Sequence, residues 1–322
     1  MTNTLIVILG PTASGKTDLS IKLAKKLALS KTEGFNGVEI ISADSRQVYK
    51  GLDVGSGKIT KNQMQQIPHH LLSIANPKRK FSVVQFQKLA LKKIHEIQKR
   101  DNIPFLVGGT GFYIQSVVDG LVFPEVKPDW RLRKKLSSYK VERLYKILKK
   151  LDQKRAETID RQNPVRLIRA IEISLKMPIK PIKKNPQFHV LQIGIKKSPD
   201  ELKKLIHKRL LKRLPSITKE VKSLRKQLSW IRLEEFGLEY RFVAQYLQGK
   251  FNESKIQKKI QPFKYRKAVI SPEAKLFDLL TKEIEHFAKR QMTWFKRDKR
   301  IHWIQTQKEA HGLVKNFIKK GS

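Results

Sequence analysis

Between Gly10 and Thr17 the chain reads GPTASGKT: a glycine, four residues, then Gly-Lys-Thr. Glycines at this spacing let successive backbone N–H groups turn inward around phosphate oxygens, while Lys16 adds a point charge and the Thr17 hydroxyl can ligate Mg²⁺. The whole run of Gly10, Pro11, Thr12, Ala13, Ser14, Gly15, Lys16 and Thr17 is therefore expected to cradle a diphosphate or triphosphate. The pattern does not say which compound carries it.

Two further groups stand where they could act on whatever binds there. Asp44 and Ser45 end an apolar run, Val38 to Ile41, and Thr110 lies in GGTG directly after a second run, Ile103 to Val107. A carboxylate beside bound phosphates is repelled unless it binds metal or takes up a proton during chemistry; the alternative is a plain helix cap. The Thr110 hydroxyl can likewise reach the site or belong to a simple turn.

The elements needed to hold these groups are legible around them. Thr4 to Leu9 is a β-branched apolar run and Thr17 to Leu29 an amphipathic stretch, so the glycine loop joins a strand to a helix. Strands alternating with helices predict an α/β fold with a parallel sheet of the P-loop NTPase type, whose ligands sit at the carboxyl ends of the strands. From about Pro124 the texture turns basic and helix-periodic, and Phe188 to Ile195 reads as a strand returning to the sheet. The expected organisation is a first part of the core over 1–123, an inserted helical domain over 124–187, and a second part of the core with C-terminal helices over 188–322. Helices are expected over Asp200 to Leu214, Thr218 to Leu228 and Pro272 to Arg297.

Composition narrows the partner. Sixty-nine Lys and Arg against 28 Asp and Glu give a formal charge of +41, which repels itself unless a polyanion screens it. RNA or DNA is the expected partner, the alternative being lysine spread over every surface. The absence of cysteine excludes disulfides, thiolate zinc sites and cysteine nucleophiles. The N-terminal apolar run LIVIL is too short to span a bilayer and lacks a cleavage signal, so a cytoplasmic protein without membrane attachment is expected. A monomer is the default.

Six blocks, GPTASGKT, SADSRQVYKGLDVGSGK, PHHLL, LVGGTGFYI, NPVRLIRAIEI and AKRQMTWF, occur in one order over nearly the whole chain. In this the sequence closely resembles the tRNA dimethylallyltransferases of bacterial type. The resemblance implies that Gly10 through Thr17 hold the diphosphate of dimethylallyl diphosphate rather than a nucleotide. It implies transfer of the dimethylallyl group to the N6 amine of the adenine beside the anticodon (position 37), with Mg²⁺ as cofactor. Asp44 is then the general base, Thr110 a hydrogen-bond partner of the leaving diphosphate, and Arg213, paired with Arg209 as RxxxR, a phosphate contact. The tRNA anticodon stem-loop is implied to meet Asp44, Ser45, Arg46 and Gln47; Arg131; Val165, Arg166, Leu167, Ile168 and Arg169; and Lys289, Arg290, Gln291 and Trp294.

The chain departs from the family pattern in places. It reads FGLEYR, Phe236 to Arg241, where a glycine-tyrosine motif is usual, and Ile284-Glu285 replaces threonine-arginine. Extra residues including PFKYRK lie between Gly249 and Glu283, with a solvated charge run as their default reading. Two rivals share the glycine loop: a small-molecule kinase, which would bind ATP and close an arginine-rich lid, and an RNA-binding ATPase without transfer chemistry.

Overall fold

The computed structural model describes residues 3–29, 35–177, 183–251 and 271–321. The basic PFKYRK stretch lies outside the described residues. The chain folds as two compact units, Met1–Val118 with Gln187–Ser322, and Asp119–Pro186.

The first unit opens with β1 (Thr4–Leu9), α1 (Lys16–Leu29), β2 (Gly37–Ser42), a single-turn α2 (Lys61–Met64) and the two-residue β3 (His69–His70). Then come α3 (Val83–Gln98), β4 (Asn102–Gly108) and α4 (Gly111–Val118). All six residues of β1 are buried, as its unbroken apolar run requires of a strand covered on both faces. A reciprocal Ser82–Gln85 capping box starts α3, satisfying donors that a helix N-terminus leaves open. Its buried Phe86, Ala90, Ile94 and Ile97 recur at helical spacing.

The second unit contains α5 (Trp130–Ser137), α6 (Val141–Leu151), α7 (Gln153–Thr158) and α8 (Pro164–Lys176). They enclose a separate small core of Leu136, Leu144, Leu148, Ala156, Leu167, Ala170 and Ile171. The two ends of the unit run side by side, with Asn185 N–H donating to the carbonyls of Asp119 and Gly120.

The first unit resumes with β5 (His189–Ile195), α9 (Pro199–Arg225), α10 (Trp230–Glu235), α11 (Leu238–Leu247), α12 (Pro272–Phe295), β6 (Ile301–Ile304) and α13 (Gln307–Gly321). The strands form one parallel sheet in the order β3-β2-β4-β1-β5-β6. One apolar cluster covers each face of the sheet, and a third binds α9, α10, α11 and α12 to the segment around Val48–Leu52. No described helix is long and apolar enough to cross a membrane.

Two expectations about elements need correction. The sequence predicts two helices over Asp200 to Leu228, parted near Pro215, yet α9 runs through Pro215 without a break. Proline removes one hydrogen bond, to the carbonyl four residues back; that residue, Leu211, is 62% exposed, so water can take the place of the lost donor. The strands β3 and β6 are not expected from the sequence, because two and four residues are too short to show a period.

Candidate active site

The strand order brings the carboxyl ends of β2, β4 and β1 side by side, and each is followed by a loop bearing a chemically useful group: Asp44, Thr110 and the glycine loop. The loop turns through left-handed backbone at Ala13 (φ 61°) and Gly15 (φ 89°). Lys16 Nζ donates to the Pro11 carbonyl at 2.6 Å. Burial, and secondarily the nearby Arg209, hold the Lys16 ammonium down at about 8, with Asp44 opposing. Ser14 Oγ is buried without a partner among the described residues.

A strut from α12 fixes the loop. The Thr12 N–H donates to Gln291 Oε1 at 2.8 Å, and Gln291 Nε2 donates to the Gly109 carbonyl at 2.8 Å. One buried amide thus ties the phosphate loop to the loop that carries Thr110. A Cβ at Gly109 would stand 2.5 Å from Gln291 Nε2, so only glycine admits the strut.

Of the readings offered for Asp44, the structure contains the turn. Oδ1 accepts from the N–H groups of Arg46 (2.7 Å) and Gln47 (3.2 Å), closing the turn after β2. Among the described residues Oδ2 accepts no hydrogen bond and remains available as a proton acceptor. Thr110 Oγ1 accepts from Ser45 N–H at 3.0 Å, which leaves the hydroxyl hydrogen to donate elsewhere.

Opposite the glycine loop, α9 presents Arg209 and Arg213 one turn apart. Burial, with help from Arg209, holds the Arg213 guanidinium down at about 10, while Glu239, Tyr240 and Glu220 oppose. Its Nη2 is buried without a partner among the described residues. A buried donor without an acceptor is costly, and two such groups, Ser14 Oγ and Arg213 Nη2, are what a polyanionic ligand would satisfy.

For a divalent cation the protein offers the exposed Thr17 hydroxyl next to the phosphate cradle. No group of three or more His, Asp or Glu that could hold a metal occurs among the described residues. A lone hydroxyl oxygen beside a phosphate cradle fits a hard divalent cation, which can share its coordination between a few protein oxygens, substrate phosphates and water.

The remaining expected residues divide by exposure. Arg46 is half-buried, and its burial depresses the guanidinium, with Asp44 opposing. Gln47 is engaged internally, accepting from Ser42 Oγ at 2.9 Å and donating to the Gly57 carbonyl at 3.3 Å. Lys289 and Arg290 are exposed on α12. Trp294 is half-buried, packed so closely that a Cβ at Gly111 would come within 2.2 Å of its indole. In the second unit Arg131, Val165 and Arg166 are exposed and Ile168 half-buried. Leu167 is fully buried, so its side chain is a packing group. Arg169 donates to Glu172 and to the Val126 carbonyl.

Sequence reasoning missed Glu239, Glu220, Tyr240 and the internal role of Gln291. Glu239, half-buried on the first turn of α11, has its carboxyl pushed up by burial against the pull of Arg213 and Arg209. Its only sequence signal was the divergent FGLEYR; Glu220 carries none, being one glutamate in a basic helix.

Comparison with known proteins bears on the same residues. The family model described as IPP transferase matches residues 47–298, and a model described as isopentenyl transferase matches residues 3–83. The chain is 39% identical to tRNA dimethylallyltransferase 2 of Shewanella sediminis, covering 94% of this chain and 93% of that protein. It is 38% identical to tRNA dimethylallyltransferase 1 of Syntrophus aciditrophicus, over 95% and 94% of the two chains. The crystal structure of the full-length tRNA isopentenylpyrophosphate transferase from Bacillus halodurans superposes with a TM-score of 0.70 at 31% identity, over 99% and 98% of the chains.

Proposed function

From the premise that this chain belongs to the IPP transferase family of tRNA dimethylallyltransferases, we propose how its site carries out the reaction. The protein is a transferase that moves a prenyl group onto tRNA. The donor on our reading is dimethylallyl diphosphate and the acceptor the N6 amine of the adenine at position 37, beside the anticodon. The observation that carries this reading is the pair of buried donors without a partner among the described residues, Ser14 Oγ and Arg213 Nη2, in a site where Asp44 Oδ2 likewise accepts no hydrogen bond from them.

An exocyclic adenine amine is a weak nucleophile because its lone pair is delocalised into the ring, so catalysis needs a placed proton acceptor and an activated leaving group. The N6 nitrogen forms a bond to C1 of the dimethylallyl group, and the C1–O bond breaks with its electron pair leaving on the diphosphate. Asp44 Oδ2 takes the proton that N6 releases. The backbone of Gly10 to Thr17, Lys16, Arg213 and the Thr110 hydroxyl bind the diphosphate and stabilise the charge that grows on its bridging oxygen. Prenyl transfer to tRNA generally uses a divalent cation; Mg²⁺, held by Thr17 Oγ1 and phosphate oxygens, would supply further charge neutralisation there.

The adenine lies within a stacked loop and has to be turned out to reach Asp44. Asp44, Ser45, Arg46 and Gln47, with Lys289, Arg290 and Trp294, form the tRNA-facing set of the first unit on this reading, whereas the buried Gln291 acts from within as the strut. Arg131, Val165, Arg166, Ile168 and Arg169 are the set of the inserted one, the fully buried Leu167 being a packing group instead. Exposed cations suit phosphate contacts that position the RNA without reading its bases. On this reading the protein works in the cytoplasm as a monomer.

The test is the mass of an unmodified tRNA after incubation with the protein, Mg²⁺ and dimethylallyl diphosphate, with nuclease mapping of any addition. A single isopentenyl group on the adenine beside the anticodon is the expected result. Unchanged RNA with consumption of ATP would replace this reading by the kinase or ATPase alternative.

A further inference from the structure

A second glycine-containing loop, Asp53 to Lys58, faces the diphosphate site, and its conformation depends on two side chains far away in sequence. The Glu220 carboxylate accepts from three consecutive backbone N–H groups: Asp53 at 3.0 Å and Val54 at 2.6 Å on Oε2, and Gly55 at 3.0 Å on Oε1. Tyr240 Oη donates to Glu220 Oε1 at 2.8 Å and accepts from Ser56 N–H at 3.0 Å. Four successive amide donors are thus gathered by one carboxylate and one phenol. Such a row of N–H groups forms an anion-binding concavity, here filled by the protein's own glutamate.

The loop held in this way is a wall for the arginines. Gly57 has left-handed backbone (φ 66°), and a Cβ on it would lie 1.8 Å from Arg209 Nη2 and 3.3 Å from Arg213 Nη1. Gly55 is equally tight, its Cβ position lying 2.6 Å from the Tyr240 ring. Arg209, Arg213 and Glu220 are spaced by four and seven residues on α9, so they share one helix face. The helix that supplies the phosphate-facing guanidinium groups therefore also supplies the carboxylate that presses the loop against them. Long side chains have many rotamers, and confining them beforehand strengthens charge stabilisation in the transition state.

We propose that Glu220 and Tyr240 are positioning residues for the leaving group: they clamp the Asp53–Lys58 loop so that Gly57 backs Arg209 and Arg213 and directs them at the diphosphate. This rests on the reading that Arg213 binds the diphosphate. Neither residue touches substrate, and neither role is visible in the order of the sequence.

The experiment is a double-mutant cycle on the transfer reaction, with Tyr240→Phe and Arg213→Ala, alone and together, measuring KM for dimethylallyl diphosphate, KM for tRNA and kcat. Tyr240→Phe removes only the hydroxyl and with it two hydrogen bonds, to Glu220 and from Ser56 N–H; their loss is expected to lower kcat/KM for dimethylallyl diphosphate by about fivefold or more, with KM for tRNA unchanged. In the Arg213→Ala background that loss should shrink to the part carried through Arg209, because the clamp then has one guanidinium to direct instead of two. Gly57→Ala should reproduce the selective loss by displacing Arg209. Equal losses from Tyr240→Phe in both backgrounds, or equal losses toward both substrates, would show that the clamp merely supports the fold and overturn the proposal. If Arg213→Ala itself leaves dimethylallyl diphosphate kinetics unchanged while wild type transfers the group, the underlying reading of Arg213 fails instead.

Discussion

Glu172 in the inserted unit and Arg213 in the sheet-bearing unit are both charges drawn out of water, with opposite surroundings. The Glu172 carboxylate accepts from Arg133 Nε and Nη2 at 2.9 and 2.7 Å, from Asp129 N–H at 2.6 Å, and from Arg169. Burial alone would raise its pKa, but those donors bring it down to about 2. Around the glycine loop, Lys16 and Arg213 are held down at about 8 and about 10, first by burial and then by Arg209. The first network is closed and serves the fold. The second is open among the described residues, and on the proposed reading a diphosphate brings the counter-charge. Buried charges with complete partners support structure, whereas cations with an incomplete set mark a ligand's place.

The largest effect that sharpens this contrast is expected at the open site. Asp44→Ala should lower the transfer rate by about 10²–10⁴, the range for loss of a general base, with tRNA affinity little changed. Near-normal turnover would remove Asp44 Oδ2 from the chemistry.

Removing Glu172 should act on the fold instead. Glu172→Ala leaves Arg133 and Arg169 without their shared anion and should destabilise the protein by about 3 kcal/mol, read by denaturant unfolding. Arg213→Ala relieves a crowded buried cation and should leave stability unchanged or improved while weakening dimethylallyl diphosphate. If Arg213→Ala unfolds the protein as readily as Glu172→Ala, the open and closed networks are not different in kind.

A smaller effect separates the two by pH. The folded value of Glu172 is depressed, so its stabilisation is present above the unfolded value of 4.5 and is lost as pH falls toward about 2. Lys16 is depressed from 10.5 to about 8, so the unfolded chain holds more protons in that window and the ligand-free protein gains stability from this group as pH rises through it. Diphosphate binding runs the other way, since it favours the ammonium form. Affinity should decline by up to about tenfold per pH unit above about 8, with proton uptake detectable by calorimetry in buffers of different ionisation heat. Binding without proton uptake at pH 9 would mean that Lys16 is not the linked group.

The mildest change is expected at the exposed cations. Lys289 and Arg290 replaced together by Ala should weaken tRNA binding and flatten its dependence on salt by about one to two counterions, as loss of phosphate contacts does, with stability and the kinetics of dimethylallyl diphosphate unaltered. An unchanged salt slope would assign this stretch of α12 to packing.

Much of the site was legible because its parts are local. GPTASGKT carries its own backbone geometry, and the run before Asp44 and that before Thr110 are continuous because parallel strands are buried on both faces. The continuity of α9 through Pro215 was not legible, since it depends on the exposure of the Leu211 carbonyl's surroundings rather than on a local rule. Nor was the internal use of Gln291, which a linear motif presents as one more polar residue beside Lys289 and Arg290.

The sequence by itself determined that strands and helices alternate, that a phosphate cradle joins the first strand to the first helix, and that the surface carries a large excess of positive charge. Those properties arise from side-chain periodicity, glycine backbone freedom and composition, which need no partner. Only the tertiary structure decided which oxygen of Asp44 closes the turn, which donors lack a partner among the described residues, and that Glu220 and Tyr240 gather the amides of a loop some 165 residues away. Pairing of buried polar groups is a property of three-dimensional neighbours, and strand order, not chain order, chooses the neighbours.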